Sequence, residues 1–114
     1  MNIVICEDNQ QQRDFILKTL QQYAFIEYPT ARFGLTTANP EEVLTYSETE
    51  HVDCFFLDIE LETSMNGLTL ASKIREHCPY ASIVFVTTHA DKLRLTFTYK
   101  VLALDFIVKS EQEQ

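Results

Sequence analysis

The sequence predicts an α/β fold: a doubly wound, five-stranded parallel sheet with helices on its faces. Three observations carry this. Short apolar runs alternate with stretches of helical period along the whole chain, the signature of repeated strand-helix units. Val52 to Leu57 is the most apolar run, as expected of a central strand buried on both faces. Charged residues stand just past three of the runs: Glu7 and Asp8 after the first, Asp58 after the third, Lys109 after the last. In a parallel sheet the carboxyl ends of the strands form the site crevice, so that placement gathers four charges at one edge.

Each element has its own warrant. Residues 2–6 are short, apolar and β-branched, a buried strand. Asp8 or Asn9 caps a helix to about Tyr23, with Ile16, Leu20 and Tyr23 on its inner face. Glu27 to Phe33 is a weaker strand interrupted by Pro29, which places it at the sheet edge. Asn39-Pro40-Glu41-Glu42 starts a helix, with Asn as cap, Pro at the first position and acids in the first turn. It ends near Ser47.

Val52 to Leu57 follows as the central strand, then a loop from Ile59 to Asn66. The next helix runs from Gly67 to about His77, with Leu70 and Ile74 inward and Pro79 ending it. Ile83 to Val86 is the fourth strand, closing at Thr87, and Ala103 to Val108 the fifth. Between them, Leu93, Leu95, Phe97, Tyr99 and Val101 alternate with polar residues, a strand signal. A parallel crossover needs a helix there, and Leu93, Phe97 and Val101 share one helical face, so a helix is expected. The short polar end, Glu111 to Gln114, cannot cover the sheet, so a terminal helix is expected to be truncated. The open face that leaves predicts self-association or lowered stability.

Bulk properties narrow the function. A chain of 114 residues with 46% hydrophobic content is one globular domain, residues 1–114. The formal net charge of −8 argues against direct contact with nucleic acid, which rests on Lys and Arg neutralising phosphates. Cys6, Cys54 and Cys78 are odd in number and lack zinc-site spacing, which reads as free thiols in a reducing cytoplasm. No apolar run approaches the ~20 residues of a membrane span, and no secretory signal is visible.

The strand-end charges suit phosphoryl transfer. Asp58 is exposed enough in a crevice to act as a nucleophile, and carboxylates do form acyl-phosphates. Clustering Glu7, Asp8 and Asp58 is costly without a cation; Mg2+, an oxygen-seeking ion, relieves the repulsion. Lys109 offers a point charge and Thr87 a hydroxyl to phosphoryl oxygens. Each piece alone has a plainer meaning: an acidic pair caps a helix, a lone Asp ends a turn, a Lys is solvated. Only the joint placement favours chemistry.

With Glu7-Asp8, Phe56-Leu57-Asp58, Asn66-Gly67, Val86-Thr87 and Val108-Lys109 in place, the chain resembles the receiver domain of two-component response regulators along nearly its whole length. The finer resemblance is to receivers of the Agr/Com quorum-sensing type, through CEDN, FFLDIEL, NGLTLASKIR and ALDFIVKS. It implies a flavodoxin-like sheet of order 2-1-3-4-5, and a C-terminal LytTR DNA-binding domain that is expected to be absent from these 114 residues. It implies Asp58 as phosphoacceptor, fed by a sensor histidine kinase. Asp8, Asp58, the Glu60 backbone carbonyl and, through water, Glu7 would hold Mg2+. Thr87 and Lys109 would hold the phosphoryl group. Thr87 and Phe106 would be the switch residues, and Glu60 and His89 would modulate phosphate lifetime. Activation would form a homodimer around Leu95, Tyr99 and Val101. DNA would be reached only through the output domain.

Four departures stand out. Ser110 occupies the usual Pro position, Thr88 a usual Ala or Gly position, and the loop between Asp58 and Gly67 is a residue longer. Phe106 lacks a tyrosine hydroxyl. Three rival readings share the architecture. A flavodoxin-like FMN carrier would want a Ser/Thr/Gly-rich loop where Glu7-Asp8 stands. A small phosphatase would use Asp58-Ile59-Glu60. A pseudo-receiver would serve only as a dimerisation block.

Overall fold

The computed structural model describes residues 1–59, 61, 65–87 and 105–108. Strands β1 (Asn2–Cys6), β2 (Arg32–Thr37), β3 (Cys54–Asp58), β4 (Ser82–Thr87) and β5 (Asp105–Val108) alternate with helices α1 (Gln10–Glu27), α2 (Pro40–Thr49) and α3 (Gly67–His77). The strands form one parallel sheet in the order β2-β1-β3-β4-β5, as expected. The expected helix around 93–101 and the polar tail at 111–114 lie outside the described residues.

Successive strand residues point to opposite faces of a sheet, and this chain fills both. Val4, Cys6, Phe55, Leu57, Ile83 and Phe85 pack on the face of α2 and α3, against Val43, Leu70, Ala71 and Ile74. Ile3, Ile5, Cys54, Phe56, Val84 and Val86 pack on the face of Ile16, Leu17 and Leu20 of α1. The loop after β3 closes the first core through Ile59, Leu61 and Met65, all buried. Met65 is therefore a packing residue. Cys6 and Cys54 are buried and free. Burial pushes the Cys54 thiol up to about 11, with help from Asp53.

The helix starts follow the capping signals. Asn9, Asn39 and Asn66 each accept a hydrogen bond from a first-turn N–H, those of Gln12, Glu41 and Thr69, and Pro40 opens α2. These bonds satisfy donors that a helix start leaves unpaired.

Two expectations need correction. Helix α1 continues to Glu27, so the segment from Glu27 is not strand; it leaves the helix, turns around Pro29, and β2 begins at Arg32. Tyr23 is not a core residue: it is 57% exposed, and Ala24 is buried instead. The reason for the first error lies in the register. Ile3 pairs with Phe33 and Val4 with Leu35, so Gly34 is skipped as a bulge. The extra residue sends Phe33 to the α1 core and Leu35 to the α2-α3 core, although a regular strand would put both on one face. The bulged Gly34 N–H donates to Asn2 Oδ1 at 3.0 Å. A side chain at Gly34 would strike that oxygen and the Tyr46 hydroxyl.

Candidate functional site

The site lies at the carboxyl ends of β1 and β3. Residue Cys6 ends β1, and the chain turns at Glu7 and Asp8 before the Asn9 cap of α1. Three contacts fix this turn. The Glu7 N–H donates to the Thr37 carbonyl at 3.0 Å, tying it to the end of β2. The Asn9 N–H donates to Glu7 Oε2 at 3.2 Å and orients the carboxylate. Arg13 Nη1 donates to the Glu7 carbonyl at 2.8 Å. The start of α1 faces these acids, and the positive end of a helix dipole favours negative charge.

Asp58 is the last residue of β3 and, against the expectation of an exposed carboxylate, is only 6% exposed, because the end of β3 is packed closely against the start of α3. Its backbone is set by close packing against α3. The Gly67 N–H donates to the Ile59 carbonyl at 2.8 Å. A Cβ on Gly67 would collide with the Asp58 carbonyl oxygen and lie 2.7 Å from the carbonyl carbon. Glycine at the start of α3 is thus what allows helix and strand end to approach.

These elements bring Glu7, Asp8 and Asp58 together. One carboxylate oxygen from each lies within 4.8 Å of the others, with Glu7 and Asp58 buried and Asp8 partly exposed. Two like charges at that distance repel by about 3.5 kcal/mol at an effective dielectric of ~20. An all-carboxylate donor set fits a hard divalent cation rather than a soft one. The neighbouring thiol reports the same field. Burial, then Glu7, Asp58 and Asp8, push Cys6 up to about 12, with Arg13 opposing.

The other expected residues fall out unevenly. Thr87 ends β4, opposite Val108 in the register, and Phe106 of β5 pairs with Phe85. Both therefore lie in the strands where the sequence places them. Glu60, His89 and Lys109 lie outside the described residues, as do Thr88, Ser110, Leu95, Tyr99 and Val101. Sequence reasoning missed Arg13, because nothing in a helical pattern marks a side chain that folds back onto the preceding turn. It read Gly67 as the start of a helix and as part of a resemblance, and not as a packing necessity.

The family model described as "Response regulator receiver domain" matches residues 3–114. The chain belongs to the response regulator receiver family. Among curated relatives, this receiver is 45% identical to Accessory gene regulator protein A of Staphylococcus epidermidis, over its full length and 48% of the relative. It is 44% identical to the protein of that name from Staphylococcus aureus, over 97% of the chain and 47% of the relative. The receiver thus spans about half the length of the curated relatives it matches. Among solved structures it resembles response regulator TrrA of Thermotoga maritima, in complex with Mg(2+)-BeF, with 26% identity and a TM-score of 0.76, covering 96% of this chain and 87% of that one. The Agr-type resemblance and the α/β receiver fold both stand. Among the described residues no helix is long and apolar enough to cross a membrane.

Proposed function

We propose that this receiver accepts a phosphoryl group on Asp58 in a Mg2+-dependent reaction and passes the change to a regulatory output. The single observation behind this reading is the convergence of Glu7, Asp8 and Asp58 within 4.8 Å at the strand ends of a receiver-family chain. The complex of TrrA with Mg(2+)-BeF supports it by likeness.

In the proposed step, an Asp58 carboxylate oxygen attacks the phosphorus of a phosphohistidine on a sensor kinase. An O–P bond forms, the P–N bond breaks, and the leaving imidazole nitrogen takes up a proton. Carboxylate nucleophiles form such acyl-phosphates. Asp8 and Asp58 would hold the metal by side chains, Glu60 by its backbone carbonyl and Glu7 through water. When bound, the cation supplies charge neutralisation at the phosphoryl oxygens. Lys109 would place its ammonium, and Thr87 its hydroxyl, against the same oxygens. Glu60 and His89 would set how readily water reaches the acyl-phosphate. Beyond self-phosphorylation and slow loss of the phosphate, no enzymatic turnover is proposed.

The response would be a population shift, with Thr87 and Phe106 repacking and a dimerisation surface around Leu95, Tyr99 and Val101 changing. In the whole protein the signal would pass in the cytoplasm to a C-terminal DNA-binding domain, in keeping with an Agr-type quorum-sensing transcription regulator. Incubation with Mg2+ and a small phosphodonor should add one phosphate by intact mass. Both Asp58→Asn and omission of Mg2+ should abolish the addition, and labelling that survives Asp58→Asn overturns the assignment.

A further inference from the structure

Arg13 stands one turn into α1, partly buried, and its guanidinium reaches back to the turn that carries the acids. Its side chain donates from Nη1 to the Glu7 carbonyl at 2.8 Å, and its own N–H donates to the Asn9 carbonyl at 2.9 Å. The side chain is therefore held at both ends: at its root by the helix, at its tip by the ligand-bearing turn. A planar guanidinium is always charged and is pre-organised for such a bond. The neighbouring Glu7 and Asp8 belong to a cluster of three carboxylates within 4.8 Å of one another. In a chain with a net charge of −8, a fixed positive charge at this turn has a direct electrostatic consequence.

We infer that Arg13 is a resident counter-charge of the acidic cluster, a positioning residue that steadies the turn without a cation and weakens the binding of a divalent cation to it. The inference rests on the metal-binding reading above and adds a residue that reading does not use. Without a cation, the guanidinium offsets part of the repulsion among Glu7, Asp8 and Asp58. With a cation present, the same charge repels it. Arg13 thus sets the affinity lower than three carboxylates alone would give, so that the site loads and unloads rather than holding its ion permanently.

The charge and the tether can be separated. Arg13→Gln keeps an N–H donor and removes the charge, while Arg13→Lys keeps the charge and removes the fork. Titration calorimetry with MgCl2 alone should show Arg13→Gln binding about three- to fivefold more tightly than wild type, the size expected of one partly screened charge. Arg13→Lys should bind like wild type. The gap between Arg13→Gln and wild type should shrink as NaCl is raised, because salt screens the charge. In Mg2+-free buffer Arg13→Gln should melt earlier than Arg13→Lys. Arg13→Gln that binds Mg2+ equally or more weakly, or a gap indifferent to salt, overturns this inference while leaving the metal site intact. Should Arg13→Gln not fold, an Arg13→Lys affinity far from wild type overturns it instead. Wild-type protein that binds no Mg2+ overturns the metal-binding reading and this inference with it.

Discussion

A Gly67→Ala substitution places a methyl group against the backbone that carries Asp58. The new Cβ would collide with the Asp58 carbonyl oxygen and sit 2.7 Å from the Asp58 carbonyl carbon and 2.8 Å from Ile59 Cα. Carbon atoms pack at ~3.5 Å or more, and the collision with the oxygen is the tightest of the three contacts, so helix and strand end must part by roughly 1 Å or more. Helix α3 cannot easily supply that movement. Leu68, Leu70, Ala71 and Ile74 are all fully or almost fully buried, and the Gly67 N–H is bonded to the Ile59 carbonyl at 2.8 Å. Part of the displacement therefore falls on Asp58. Overpacking of this kind costs about 1–3 kcal/mol, and the better helix propensity of alanine returns at most ~1 kcal/mol. A net loss of about 1–2 kcal/mol should lower the melting temperature by roughly 4–10 °C in a domain of this size. A misplacement approaching 1 Å at a reacting group can cost up to ~100-fold in rate, so phosphodonor labelling of Asp58 should slow by about tenfold or more. Thermal melts and time-resolved intact mass spectrometry measure the two effects. A variant matching wild type in both melting temperature and labelling rate would refute the reasoning.

Other perturbations test the rest of the frame. Asn2 is 3% exposed; its side chain accepts from the Gly34 N–H and donates to the Tyr46 hydroxyl and the His51 carbonyl. Asn2→Ala strands these groups and should cost about 2–4 kcal/mol in urea unfolding. Phe85 is fully buried on the α2-α3 face, and Phe85→Ala should cost about 3–5 kcal/mol by the same assay. The folded thiols of Cys6 and Cys54 lie near 12 and 11, raised first by burial. Both should resist alkylation at neutral pH until the chain unfolds. A raised folded pKa gives stability that is complete below the unfolded value of 9.0 and is lost as pH climbs toward the folded values, so urea midpoints should fall above that pH. Asp53 has the opposite sign. The Asn2 N–H, then His51, hold its carboxyl below 3.8, so its contribution is present above that value and is lost as pH falls through the folded pKa. Asp53→Asn should flatten that acid limb, an effect kept small by solvent exposure.

How much of this was legible in the sequence depends on how locally each feature is specified. The strands at residues 2–6, 54–58 and 82–87 announce themselves because a strand buried on both faces must be apolar throughout. The helix starts at Asn9, Asn39 and Asn66 announce themselves because a cap is satisfied within three residues. The carboxylates were legible too: once strand ends are located, parallel topology brings Glu7, Asp8 and Asp58 to one edge.

The edge strand was not legible. Phe33 and Leu35 serve opposite cores only because Gly34 bulges, and the bulge holds because Asn2, far away in sequence, takes its N–H. Tyr23 reads as core by period, yet helix orientation leaves it in solvent and buries Ala24. By itself, then, the sequence determined the element order, the sheet class and the identities of the three acids. Tertiary structure alone decided their separation, the need for glycine at position 67 and the return of Arg13 to Glu7. Periodicity and capping are properties of neighbouring residues, whereas these contacts join residues whose approach is fixed only when the sheet and its helices pack.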